Sequence, residues 1–317
     1  MTWDLVALGI AFLMGLAVGA VPWLLLRRRG HPDTAGEEGE RSRIRRRSLR
    51  VAAVSVGLTL LVVAAGTYAV LRVVLHSGPL APAGAERVLT ELRGEAAAGG
   101  MVRASHESDR LGPPPAGVYT YAASGYYETD APVFGTERRE LPATVPAALR
   151  LEPDGWTLTV HYFDRHRTVF RWVAAPGRIL EEPEVVTDNV RFGMEIRTTL
   201  TCPQPEVVRA ALAPGATWSR DCGAVTTGLI GASQDLASRD TFVGVERLSI
   251  GGVDVDAWHV RRDTVVSGGQ SGAQHRDAWY AADTGMLLRL DFESRTSGLA
   301  DHVESTRLEL ASLTPRT

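Results

Sequence analysis

The sequence predicts two N-terminal transmembrane helices followed by an extracytoplasmic, mainly-β domain: a curved antiparallel sheet of half-barrel type with one or two short helices. Three observations predict it. Two early runs, Leu5 to Leu26 and Val51 to Leu71, contain no charged residue. The segment between them is crowded with arginine. After Val118 the spacing of apolar residues switches from a helical period to a period of two.

The first run follows a short outer N-terminus, residues 1–4. It is expected to span a bilayer over residues 5–26, because about 20 helical residues at roughly 1.5 Å each cross a hydrocarbon core of about 30 Å. Trp3 and Trp23 bracket it as interfacial aromatics do. Residues 27–50 form a basic loop in which nine Arg face Asp33, Glu37, Glu38 and Glu40, and the positive-inside rule places such a loop in the cytoplasm. A second span over residues 51–75 then puts everything after it outside. The expected localisation is the plasma membrane, with both the N-terminus and the C-terminal domain extracytoplasmic and membrane lipids around the spans. Two alternatives stay open. The first run could be a cleaved signal peptide, although only Asp4 precedes it where a basic segment is wanted, or cleavage could follow the second run near Ala81 to Ala85. Ala11, Gly15 and Gly19, like Ala53 and Gly57, fall at four-residue spacing, which lets helices pack closely. No Cys lies near either run, so a lipid anchor is not expected.

Residues 76–117 read as a spacer. Ala85 to Ala98 predicts a short helix with Val88, Leu89 and Leu92 on one face, and Gly99-Gly100 and Gly112-Pro113-Pro114-Pro115 end regular structure. Residues 118–317 form the β-rich domain. Trp156, Leu158, Val160 and Tyr162 alternate with polar residues, as do Met194, Ile196, Thr198 and Leu200, and then Leu288, Leu290 and Phe292. That is the pattern of antiparallel strands with one buried and one wet face. Tyr119, Tyr121 and Tyr127 predict a further strand, and Leu308 and Leu310 the last one. Gly251-Gly252 between two apolar runs predicts a two-residue hairpin turn. Pro205 to Leu212 reads as a helix, with Gly228 to Ser238 as a second possibility.

All 34 basic residues are Arg, so arginine alone is no sign of specific recognition here. Residues 76–317 hold 24 Arg against 32 acids, a net of −8, which argues against a nucleic-acid partner. Cys202 and Cys222 are the only cysteines and are expected to form a disulfide, closing a loop of about 20 residues. The carboxylates and histidines give two loose clusters. His161 and His166 flank Asp164 near one turn, and Asp254, Asp256 and His259 lie along one strand. Both are expected to be solvated side chains rather than metal or acid–base sites. No nucleophile elbow, Walker loop, zinc-protease motif or dinucleotide fingerprint occurs. No enzyme activity, cofactor or metal is therefore expected. Trp156, Trp172, Trp218, Trp258, Trp279, Tyr280 and Phe292 are expected to be mostly core, with a concave apolar face as the remaining place for a lipid-like ligand.

The C-terminal stretch VGVERLSIGGVDVDAWHVRRDTVVSGG, Val243 to Gly269, with DAWYAADTGMLLRLDFES, Asp277 to Ser294, resembles LolA-like half-barrel domains, including envelope lipoproteins of the LppX and LprG kind. The resemblance implies an open, strongly curved sheet with an apolar cavity for acyl chains, and it assigns no site residue. The expected function is a membrane-tethered, non-enzymatic envelope protein whose outer domain binds an apolar or lipidic ligand. The alternative is an accessory protein whose outer domain docks an envelope protein partner. The ligand-binding residues and the oligomeric state stay open.

Overall fold

The structure, a computed structural model of the 317-residue chain, describes residues 54, 57, 60–66, 80–99, 109–132, 134–228 and 231–317. The chain divides into two units, Met1–His76 and Ser77–Thr317. In the first, residues 60–66 are helical. Among the described residues no helix is long and apolar enough to cross a membrane. The two-span membrane localisation is corrected on that finding and is not carried further. Of the runs on which it rested, Leu5 to Leu26 lies wholly outside the described residues and Val51 to Leu71 lies partly outside them.

Among the described residues the second unit holds one helix, α1 (Ala85–Gly99), and fourteen strands. In chain order these are β1 (Gly117–Ala131), β2 (Gly135–Glu140), β3 (Thr144–Glu152), β4 (Gly155–Phe163), β5 (His166–Ala175), β6 (Ile179–Arg191) and β7 (Met194–Thr201). They continue as β8 (Glu206–Arg209), β9 (Thr217–Thr227), β10 (Ala232–Ile250), β11 (Val253–Gly268), β12 (Ser271–Ala281), β13 (Leu287–Ser297) and β14 (Asp301–Leu310). Neighbours in sequence are mostly neighbours in space and every pairing is antiparallel, so the sheet is an up-and-down meander.

The expected open half-barrel is overturned by one pairing. β1 hydrogen-bonds β14 from Tyr121↔Leu310 to Asp130↔Asp301, so the sheet closes into a barrel of twelve strands. β2 lies outside that ring, paired with the second half of β1, whose first half pairs β3. The physical reason is an exposed row of unpaired N–H and C=O groups on each edge of an open sheet, which closure removes.

The strand expectations stand over β1, β4, β7, β13 and β14, and the Gly251-Gly252 hairpin joins β10 to β11. Gly251 has φ 58° and Gly252 φ 83°, so both central turn positions need the left-handed backbone that glycine adopts without strain. The helix expected over Pro205 to Leu212 is instead β8 with a turn, and Gly228 to Ser238 runs into β10. β8 pairs the first part of β6 through Leu180↔Val208, where β6 has no β7 partner. Val207 and Val208 are both buried there, a pattern that local spacing reads as helical. α1 forms where expected and lays Val88 and Leu89 on Val118 and Ala148 of β1 and β3. Burying those two side chains stabilises the contact by about 1.5–3 kcal/mol each.

Inside the barrel, one end is packed solid. Trp156, Trp172, Leu149, Leu158, Leu180, Leu287 and Leu308 are fully buried. Trp172 stacks on Phe170 at 5.4 Å between ring centroids and meets Tyr280 edge-on at 6.2 Å. The Tyr121 hydroxyl donates to the Leu287 carbonyl at 2.7 Å, joining two walls through the core.

Candidate functional site

The other end of the barrel is hollow. A cavity of about 660 Å³ lies within it, in the range of small-molecule sites. Strand parity decides what lines it. Inward positions that carry Trp, Tyr and Leu at the packed end carry smaller side chains here, among them eight threonines, Ala224 and Ser294. A twelve-stranded ring is wider than an eight-stranded one that side chains just fill, so small residues leave space. Apolar side chains form much of the wall: Phe170, Val185, Ile196, Leu200, Leu236, Leu290 and Phe292. Threonine hydroxyls are satisfied by each other across neighbouring strands, Thr168 with Thr187 at 3.2 Å and Thr198 with Thr226 at 3.1 Å, which leaves fewer polar groups for the lumen. At the rim, Phe134 and Phe192 stack at 5.3 Å.

A buried charge cluster separates the hollow from the packed end. Arg276 donates to both oxygens of Glu182, at 2.9 and 3.1 Å, and to the Tyr280 hydroxyl at 2.8 Å. Arg262 donates through Nε to Asp240 at 2.6 Å and through Nη1 to Glu182 at 3.2 Å. Arg220 donates to the backbone carbonyls of Gln204 and Glu182, holding β9 to β6 and to the segment before β8. Burial pushes the Glu182 carboxyl up, but the guanidiniums of Arg276, Arg262 and Arg220 outweigh it and hold the group at about 2. Burial draws Arg220 down to about 10, so it keeps its charge at neutral pH. Arg262 and Arg276 line the cavity and are register partners on β11 and β12.

A second charged group sits near the rim. Arg191 contacts His302 at 2.6 Å and donates to Thr129, and His302 lies 3.6 Å from Glu304. Burial pushes His302 below its usual value, as it does His166, which falls to about 3. Both are neutral members of the wall.

The structure separates the site residues expected from sequence. Cys202 and Cys222 are bonded, with Cα atoms 4.3 Å apart. The bridge ties the end of β7 to β9 around the loop holding β8, not to a helix, and packs with Leu200, Ala224, Leu236 and Val266. His161 and His166 are both buried while Asp164 is exposed, and burial pushes His161 to about 4. Asp254 is exposed, and Asp256 pairs with Arg247 at 3.2 Å on the surface. His259 instead bridges Glu246 and Asp277, at 2.6 and 2.7 Å. Among the described residues no group of three His, Cys, Asp or Glu side chains is placed to hold a metal ion. Of the aromatics, Trp156, Trp172, Trp258, Trp279 and Tyr280 are core, and Phe292 lines the lumen. A second concavity of about 620 Å³ is bordered by Arg165, Arg167 and Arg197, each already paired with Glu195 or Asp188, so it is a solvated ion-pair face.

Sequence reasoning missed Glu182, Asp240, Arg220, Arg262 and Arg276. The signal was available in β12, where Arg276 shares strand parity with Ala278 and Tyr280, a charge on the buried face.

No family model and no curated protein matches the chain. Among solved structures, the chain is similar to a hypothetical lipoprotein, YmcC, from Escherichia coli, at 16% identity over 63% of this chain and 85% of that one. The TM-score is 0.31, too low to carry an argument about fold or function, so the barrel and its lumen are characterised by their own geometry.

Proposed function

We propose that this is a non-enzymatic cell-envelope protein whose barrel lumen binds an apolar, lipid-like ligand. The observation that carries the reading is the lumen itself: the same ring of strands is filled at one end and lined by small and apolar side chains around about 660 Å³ at the other. The threonine pairs lower the polarity of the wall, and neutral His166 and His302 add no charge to it. The disulfide suits an oxidising compartment such as the envelope. The absence of catalysis is part of the proposal, supported by the engagement of both carboxylates of the buried cluster, Glu182 and Asp240, in salt bridges to arginine.

The test is native mass spectrometry of the full-length protein with its disulfide intact, followed by organic extraction and lipid analysis. The expected result is a co-purifying lipid that is lost in Thr264→Trp, which fills the lumen. A protein that is empty as isolated and takes up no added lipid overturns the reading. One observation favours a second reading, in which the barrel wall docks a protein partner. Val225, Val245, Val253 and Val265, on the consecutive strands β9 to β11, are all more than half exposed. Val265→Lys leaves lipid content unchanged under the first reading and abolishes partner capture under the second.

A further inference from the structure

Three guanidiniums, Arg220, Arg262 and Arg276, meet two carboxylates, Glu182 and Asp240, at the floor of the lumen. The cluster therefore carries one uncompensated positive charge, and all five side chains are buried or nearly so. A buried charge without a counter-charge is costly. Arg262 and Arg276 also face each other directly across β11 and β12, an arrangement in which like charges repel. These are the two that line the cavity, and Arg276 Nε has no hydrogen-bond partner among the described residues. The rim group differs in kind. There Arg191 and Arg139 are matched by Glu304 and Glu137, so the charges balance.

Above the floor stand Phe170, Leu236, Leu290 and Phe292. The space thus combines a positive base with apolar walls, which suits one class of molecule. We infer that the ligand is an amphiphile with a singly charged anionic head, seated head-down on Arg262 and Arg276 with its hydrocarbon chain pointing to the rim. This rests on the proposed lumen-binding function and goes further by assigning the ligand's charge and direction. A monoanion neutralises the surplus charge, and a carboxylate or phosphodiester oxygen accepts from a guanidinium in a charge-assisted hydrogen bond. Tyr280, already bonded to Arg276, holds that guanidinium in place.

The experiment is calorimetric titration of delipidated full-length protein with three single-chain probes: myristate, lysophosphatidylglycerol and myristyl alcohol. Native protein is expected to bind one or both anions about tenfold more tightly than the alcohol. A preference for myristate assigns a carboxylate head, and a preference for the lysolipid a phosphodiester. Arg276→Gln leaves two guanidiniums against two carboxylates and is expected to bring anion and alcohol to within about twofold of each other. Glu182→Gln combined with Arg276→Gln restores the surplus charge and is expected to restore most of the preference. Equal binding of anion and alcohol by native protein overturns the inference while leaving the lumen reading intact. Failure of all three probes to bind removes both. The native comparison decides the matter even where a variant fails to fold.

Discussion

The two ends of one barrel are built from the same strands yet differ in every respect that matters for function. At the packed end Trp156, Trp172, Leu158 and Leu287 fill the ring, and the interior is a core. At the hollow end Thr168, Thr187, Thr198 and Thr264 occupy equivalent inward positions, and the interior is a site. The two ends share one ring of strands, so the volume of the inward side chains decides which half is stability and which is capacity. The charge cluster lies at the boundary, where burial is deep enough to make each ion pair consequential.

The comparison is most severely tested by removing bulk from the packed end. Trp172→Ala should cost about 3–5 kcal/mol in urea unfolding, whereas Thr198→Ala in the hollow end should cost less than about 1 kcal/mol. Similar losses at both ends would mean the lumen is structurally load-sharing after all. At the boundary, Glu182→Gln leaves three guanidiniums against Asp240 alone and should cost about 3 kcal/mol or more, read from the same denaturation curves. Removing the disulfide with Cys202→Ser and Cys222→Ser should cost about 3 kcal/mol in the chain-entropy model, seen as a lower urea midpoint. The last effect is confined to acid. His166 is held neutral by burial, its value depressed from 6.5 to about 3. The stability this neutrality supports is complete above pH 6.5 and is lost as pH falls from there towards 3, while the unfolded chain takes up the proton. His166→Leu should flatten that limb of the stability–pH curve, whereas Trp172→Ala should lower the whole curve without changing its slope.

The strands legible in sequence are those whose inward residues are mostly apolar, at either end of the barrel. Trp156, Leu158, Val160 and Tyr162 alternate cleanly because all four are apolar or aromatic, and β7 was read in the same way from Met194, Ile196 and Leu200, which line the lumen. In the hollow half β12 turns Gly272, Gln274 and Arg276 inward and β14 turns His302, Glu304 and Thr306 inward, so inward and outward faces look alike. A lumen that is partly polar erases the pattern by which strands are recognised. β8 was hidden differently, since Val207 and Val208 are adjacent and both buried, which neither a period of two nor a one-sided strand explains. Closure was illegible for a third reason: alternation states that a residue belongs to a strand but not which distant strand it will pair.

The seam between β1 and β14 also governs how the domain comes into being. Tyr121 pairs Leu310, so the first and last strands of the ring must meet across nearly the whole length of the domain. During synthesis from the N-terminal end, each hairpin can form as it emerges, but the lumen does not exist until the final strand arrives. Pairings so remote in sequence form slowly, and until then two bare sheet edges stand open to any neighbouring chain. The interval between the emergence of β13 and the docking of β14 is therefore the vulnerable moment of this protein's life, when a chaperone or a vacant edge elsewhere competes for the same hydrogen bonds.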